Sequence, residues 1–188
     1  MNEQLTLKIE ALHKLGELLK ARSNDRLVAA IKIAQHHNKW FTTDSIHQAL
    51  DGIANSFLQK DKLTAWVSNY NIATEKPKNI GLILAGNIPL VGFHDVMSVY
   101  LSGHRALVKL SSKDTILMKS VIGLLSKIDP YASNNISFIE RLIDYDAVIA
   151  TGSNTSGKYF AEYFSKVPNI IRKNRHAVAV IDLSLIHI

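Results

Sequence analysis

Three segments of this 188-residue chain place amide, hydroxyl and ammonium groups beside glycine-bearing turns, and a fourth concentrates cations. The first is Gly-Leu-Ile-Leu-Ala-Gly-Asn-Ile-Pro-Leu, residues 81–90. An apolar run of strand length ends at Ala85, a turn begins at Gly86-Asn87, and Pro89 stiffens the entry to a helix. In an open parallel sheet, ligands sit outside the carboxyl ends of the strands. There the Asn87 amide could donate to a developing oxyanion. A plain strand-to-helix turn accounts for the same residues, since Gly and Asn both tolerate positive φ.

The second segment is Ser-Gly-His-Arg-Ala-Leu-Val-Lys-Leu-Ser-Ser-Lys-Asp, residues 102–114. Gly103 closes a helix, a strand follows, and Lys109 emerges at its end with Ser111, Ser112 and Lys113 behind it. A lysine and hydroxyls at a strand end suit ribose hydroxyls or phosphate. No acidic residue that would hold a 2′-hydroxyl and repel a 2′-phosphate occurs before Asp114, which argues for NADP over NAD. The alternative is a solvated lysine. The third segment, residues 146–158, reads strand, then Gly152-Ser153-Asn154-Thr155-Ser156-Gly157, then helix. A helix N-terminus offers free N–H groups and a positive dipole to a pyrophosphate, with the Ser153 hydroxyl adding a bond. It is not the Gly-x-Gly-x-x-Gly fingerprint, and an N-cap by Ser153 or Asn154 explains it too. The fourth, Ile-Ile-Arg-Lys-Asn-Arg-His over 170–176, could meet phosphate but reads better as a solvated turn.

The elements that must position these groups fall into two units. Residues 1–76 form an N-terminal helical segment. Leu5, Ile9, Leu12, Leu15 and Leu19 make one stripe at helical spacing. Ser23-Asn24-Asp25 caps a second helix from Arg26 to about His36, Thr42-Thr43-Asp44 starts a third to about Gln59, and a fourth covers Asp61 to Tyr70. Residues 75–78 are the hinge. From 77 to 182 the pattern is an incomplete nucleotide-binding α/β domain. Strands over Ile80–Leu84, Ala106–Leu110, Ile136–Ile139, Ala147–Ala150 and Ala177–Ile181 alternate with helices over Phe93–Leu101, Thr115–Ile128 and Thr155–Phe164. That pattern predicts a parallel sheet covered on both faces. Residues 183–188, Leu-Ser-Leu-Ile-His-Ile, follow the last strand with no covering helix and read as an artefactual tail or, alternatively, a genuine short terminus.

Composition narrows the partners. With 47% hydrophobic and 20% charged residues the chain has an ordinary globular balance. No apolar run reaches the roughly 18 residues of a membrane span. The N-terminus, with Glu3 and Glu10, does not look like a signal peptide, so the expectation is a cytoplasmic protein. The net charge is +6, but the lysines are scattered rather than clustered with aromatics, which argues against nucleic acid and fits an anionic small molecule. The absence of cysteine excludes disulfides and thiolate metal sites within these residues.

Taken together, the segments resemble the aldehyde dehydrogenase superfamily in order and spacing. That superfamily carries Pro-Trp-Asn-x-Pro at a strand end, then Ala-Gly-Asn-x-Val-x-x-Lys-Pro-Ser-Glu, then Gly-Ser-x-x-x-Gly. Here Ala85-Gly86-Asn87-Ile88-Pro89, the run Ser102 to Ser112 and Gly152 to Gly157 take those places. The wording AGNIPLVGFHDV, KLSSKD and ATGSN looks like the fatty acyl-CoA reductase branch (LuxC type) best known from bacterial luminescence, over about residues 40–182. The resemblance implies a Rossmann-like parallel sheet, truncated before the catalytic domain. It implies NADPH-dependent reduction of long-chain acyl-CoA to fatty aldehyde through a cysteine acyl-enzyme. It makes Asn87 the oxyanion-hole amide. Lys109, beside the Ser111 and Ser112 hydroxyls already read as cofactor-binding, would hold the adenosine ribose, and Gly152, Ser153 and Gly157 would receive the pyrophosphate. No metal is implied. Ser112 stands where NAD-preferring relatives keep a glutamate, in line with NADPH. Gly86 replaces a tryptophan, so that contact is lost. No glutamate base occurs near Arg172–Arg175, which suits a reductase. The nucleophilic cysteine is missing, so the chain alone is expected to be inactive. An NAD(P)-dependent aldehyde dehydrogenase, a stand-alone nucleotide-binding module and an α/β domain without ligand stay open. So does assembly, as a homo-oligomer or with acyl-transfer or acyl-activating enzymes.

Overall fold

The computed structural model describes residues 3–72, 76–174 and 178. Four helices come first: α1 (Glu3–Ala21), α2 (Asp25–His37), α3 (Thr43–Ser56) and α4 (Lys60–Val67). The stripe expected on α1 is buried along its length. Asn24 caps α2, its Oδ1 accepting from the amides of Arg26 and Leu27 at 3.1 and 3.3 Å. Thr42 caps α3 by accepting from the Ser45 amide at 3.1 Å. Both side chains satisfy amides that no preceding turn can reach. Helix α3 stops at Ser56, short of Gln59, because Gln59 leads into α4 and its Nε2 donates back to the Ala54 carbonyl at 2.7 Å. Helix α4 ends at Val67 rather than Tyr70. The Asn69 side-chain Nδ2 donates to the Ala65 carbonyl at 2.8 Å, taking the acceptor that the Asn69 backbone N–H would use in a further turn.

The second unit runs β1 (Asn79–Ile83), α5 (Phe93–Ser102), β2 (Arg105–Lys109), α6 (Thr115–Ile128), α7 (Pro130–Asn135), β3 (Ile136–Phe138), β4 (Ala147–Thr151), α8 (Asn154–Tyr163) and β5 (Asn169–Arg172). The short α7 was not anticipated. Asp129 caps it, accepting from the Tyr131 amide, and Pro130 opens it, where the missing N–H costs nothing. Segment 170–176 is not simply a solvated turn: Asn169–Arg172 pairs in parallel with Val148–Thr151 as the fifth strand. The strand expected over 177–181 and the tail 183–188 lie, Val178 apart, outside the described residues.

The five strands among the described residues are all parallel, in the order β3-β2-β1-β4-β5, which makes this a Rossmann-like α/β fold. The two faces are legible in the alternation. Ile80, Leu82, Ala106 and Val108 join the large buried cluster that continues through α1–α7. Ile83, Val148 and Ala150 belong to a smaller cluster with Leu142, Phe160 and Phe164 on the α8 side. Helix α5 ends at Gly103, whose φ of 82° reverses the chain into β2, a conformation costly for any residue with a Cβ. No helix among the described residues is long and apolar enough to cross a membrane.

One polar group is embedded where α1 meets the α/β unit. Lys8 is 3% exposed, with its ammonium 4.0 Å from the Tyr131 ring centre and 5.5 Å from that of Tyr100. The Tyr100 hydroxyl donates to Asp129 and the Tyr131 hydroxyl to the Gly103 carbonyl. The rings attract the cation, and Asp129 favours its charge. Burial outweighs both and pulls the amine down to about 8. The folded chain therefore releases this proton before the unfolded chain, whose lysine titrates near 10.5. Stability should rise between about pH 8 and 10, by on the order of 1–3 kcal/mol. Above pH 10 the Tyr100 phenol opposes it, because burial and the Asp129 bond hold its proton on in the fold. Urea unfolding across this range should show the rise in the wild type and not in Lys8→Met.

Candidate functional site

A cleft of about 1120 Å³ opens beyond the carboxyl ends of β1, β4 and β5. Strand β1 pairs with β2 on one side and β4 on the other, so the segments leaving these strands diverge around one space. The β1 exit is held first by the Leu84 amide, which donates to the Lys109 carbonyl at 3.1 Å. Gly86 then passes so close to the β2 exit that a Cβ on it would lie 2.5 Å from Ser111 Oγ. Beyond the exposed Asn87 the chain turns back through Leu90, whose φ is 58°. The Leu90 amide donates to Asp114 Oδ2 at 2.7 Å.

The β4 exit is Gly152-Ser153, leading into α8. Ser153 acts as the helix cap, its Oγ accepting from the Ser156 amide at 3.1 Å. The Gly152 amide donates to the Arg172 carbonyl at 3.1 Å, extending the β4–β5 pairing to the cleft's edge. The cleft brings together Asn87, Ser111, Gly152 and Ser153 from three distant stretches of chain.

The other candidates lie elsewhere. Lys109 sits in register with Ile83, whose side chain faces α8. The Lys109 ammonium accordingly donates to the Glu140 carbonyl at 2.6 Å, in a second hollow of about 610 Å³ that Tyr159, Phe160 and Tyr163 also line. Ser112 is exposed on a 3-10 turn over 112–114, and its carbonyl lies 2.9 Å from His37 Nε2. Gly157 is buried in the first turn of α8 beneath the Lys173 stem, where a Cβ would lie 2.7 Å from Lys173 Cγ. Neither Ser112 nor Gly157 lines either space.

Sequence reasoning missed His94 and Asp95 in the cleft wall and read Arg172, which joins them there, as part of a solvated turn. Asp95, in the first turn of α5, is 3% exposed and accepts from Arg172 Nη1 on β5. Burial alone would raise its carboxyl; His94 and Arg172 overcome that and hold it below the usual carboxylate range. The ion pair fastens the edge strand to α5 and aims a guanidinium along the wall. Lys113 and Lys173 line the same space, so the cations outnumber the carboxylate and the cleft favours an anion. An acid amid Phe93, Val96 and Met97 on an apolar helix was the available signal, since a buried carboxylate needs a partner. Asp114 lies nearby, 4% exposed, and burial pushes its carboxyl up to about 7 although it accepts from Leu90. Among the described residues no group of three or more side chains could hold a metal ion. The chain matches no family model and no curated protein.

The ion pair makes a prediction. Arg172→Met should lower the unfolding free energy by about 2 kcal/mol, less than for a fully buried pair because Arg172 is partly exposed. Asp95→Asn in the same chain should recover most of the loss. A double-mutant cycle by urea denaturation measures the coupling; additive effects would mean that the pair does not bind β5 to α5.

Proposed function

We propose that this chain is the nucleotide-binding half of an acyl-CoA reductase built on the aldehyde dehydrogenase fold and that it takes NADPH. The observation that carries the reading is the cationic cleft at the β1/β4 divergence, which gathers Asn87, Ser111, Gly152 and Ser153. The turn into α8 offers its amide end and the Ser153 hydroxyl to a pyrophosphate. The aromatic hollow on the other flank of α8 suits a nucleobase. Lys109 and Arg141 line it opposite Glu140 and Glu162, two cations to two carboxylates, so a ribose phosphate would rest on Lys109 and Arg141 directly. Ser112 and Gly157 take indirect parts in this reading, Ser112 by leaving the β2 exit free of a carboxylate and Gly157 by letting the Lys173 stem lie close against α8.

A dinucleotide held there would supply hydride for an acyl carbon. This chain's part is to orient it and to stabilise negative charge on the substrate oxygen. Asn87 is exposed on the cleft wall, with a side-chain N–H available for that oxygen. The thiolate that would carry the acyl group comes from outside this cysteine-free chain, so the chain alone binds cofactor without turnover.

Thermal unfolding with NADPH and NADH tests the reading. Saturating NADPH should raise the midpoint by about 5 °C, and NADH by less. Lys109→Ala and Ser153→Ala should each weaken NADPH about tenfold. A cooperative transition that neither cofactor moves would overturn it.

A further inference from the structure

We infer that Asp114 is a positioning residue for Asn87, acting through one buried hydrogen bond to the Leu90 amide. Two costly features meet at this bond. Leu90 holds a left-handed φ of 58°, which a residue with a branched side chain adopts rarely, and its side chain is only 2% exposed. Asp114 is buried with one oxygen on the Leu90 amide at 2.7 Å and its other oxygen, Oδ1, without a partner. A buried acid satisfied on one side, and a strained backbone, are each unfavourable by themselves. Together they fix a turn: the captured amide keeps Leu90 left-handed, and the chain doubles back three residues after Asn87. The bed of the turn comes from the same segment, since Gly86 packs against Ser111 and a Cβ on it would lie 3.3 Å from the Asp114 Cβ. Asp114 itself is set by its own amide, which donates to the Ser111 carbonyl at 3.1 Å. The 3-10 turn over 112–114 thus clamps the loop from Leu84 to Gly92, and Asn87 is that loop's exposed polar tip.

The functional value of holding Asn87 rests on the reading given above; the clamp does not, and it can be tested without ligand. Amide exchange and side-chain NMR on the whole chain provide the test. In Asp114→Ala the Leu90 amide should exchange about tenfold faster or more, and the Asn87 side-chain NH2 resonances should move. Leu82 in β1 and Tyr100 in α5 should keep their exchange rates. Asp114→Asn retains an oxygen acceptor and should restore both signals. Unchanged Leu90 exchange and Asn87 resonances in the alanine variant would overturn the proposal. So would failure of asparagine to restore them, or loss of protection at Leu82 and Tyr100 in step with Leu90. If the alanine variant does not fold, a through-hydrogen-bond coupling between the Leu90 amide nitrogen and the Asp114 carboxyl carbon should be present in the wild type, and its absence overturns the clamp. If NADPH fails to bind while these signals behave as expected, the cofactor reading falls and the clamp stands.

Discussion

The cleft exists because β1 is the central strand, bonded in parallel to β2 along one edge and to β4 along the other. The chain builds outward from β1 through β2 to β3, then crosses to the opposite edge for β4 and β5. Parallel strands need crossover connections, and these must leave the carboxyl ends in opposite directions at the point of reversal. The β1 and β4 exits therefore part, and the space between them cannot be filled by either. Whatever sequence occupies residues 85–87 and 152–153 borders that space.

The walls are then brought close by small residues and single polar bonds rather than by bulk apolar packing. Gly86 admits the Ser111 side chain, and the Leu84 amide carries the β1–β2 pairing one residue past the strand. On the far side the Gly152 amide does the same for β4 and β5. Strand β5 is only four residues long, with its first two residues exposed, so little apolar burial holds it in place. Much of its attachment comes from backbone bonds to β4 and from Arg172 reaching across to Asp95.

Much of this was legible in the sequence where local chemistry decides the outcome. The α1 stripe, the Asn24 and Thr42 caps, the Gly103 reversal and four of the five described strands follow from periodicity and turn residues that act over a few positions. The three turns that border the cleft or its second hollow were visible for the same reason. What stayed hidden depends on pairing across the sheet. Residues 169–172 carry too few apolar residues to announce a strand, and only the β4 ladder makes them one. Lys109 looked like a neighbour of Ser111, yet its register opposite Ile83 sends it to the α8 side. Arg172 looked solvated because its partner lies 77 residues away. The resemblance to a reductase family rests on residue wording, to which the fold adds a compatible parallel sheet and no more.

Two aspartates, one in the cleft wall and one beside it, show how position rather than residue type sets charge. Asp95 and Asp114 are buried almost equally, and each sits at the start of a helix that follows a strand. Asp95 meets a guanidinium and an imidazole and stays ionised well below neutrality. Asp114 meets one amide, which cannot offset the loss of water, and its carboxyl titrates near 7. Asp95 cancels Arg172, while burial keeps the proton on Asp114 to far higher pH than on an ordinary carboxyl. Lys113 and Lys173 line the cleft beside that neutralised pair and set its cationic character, which the raised carboxyl of Asp114 opposes the less.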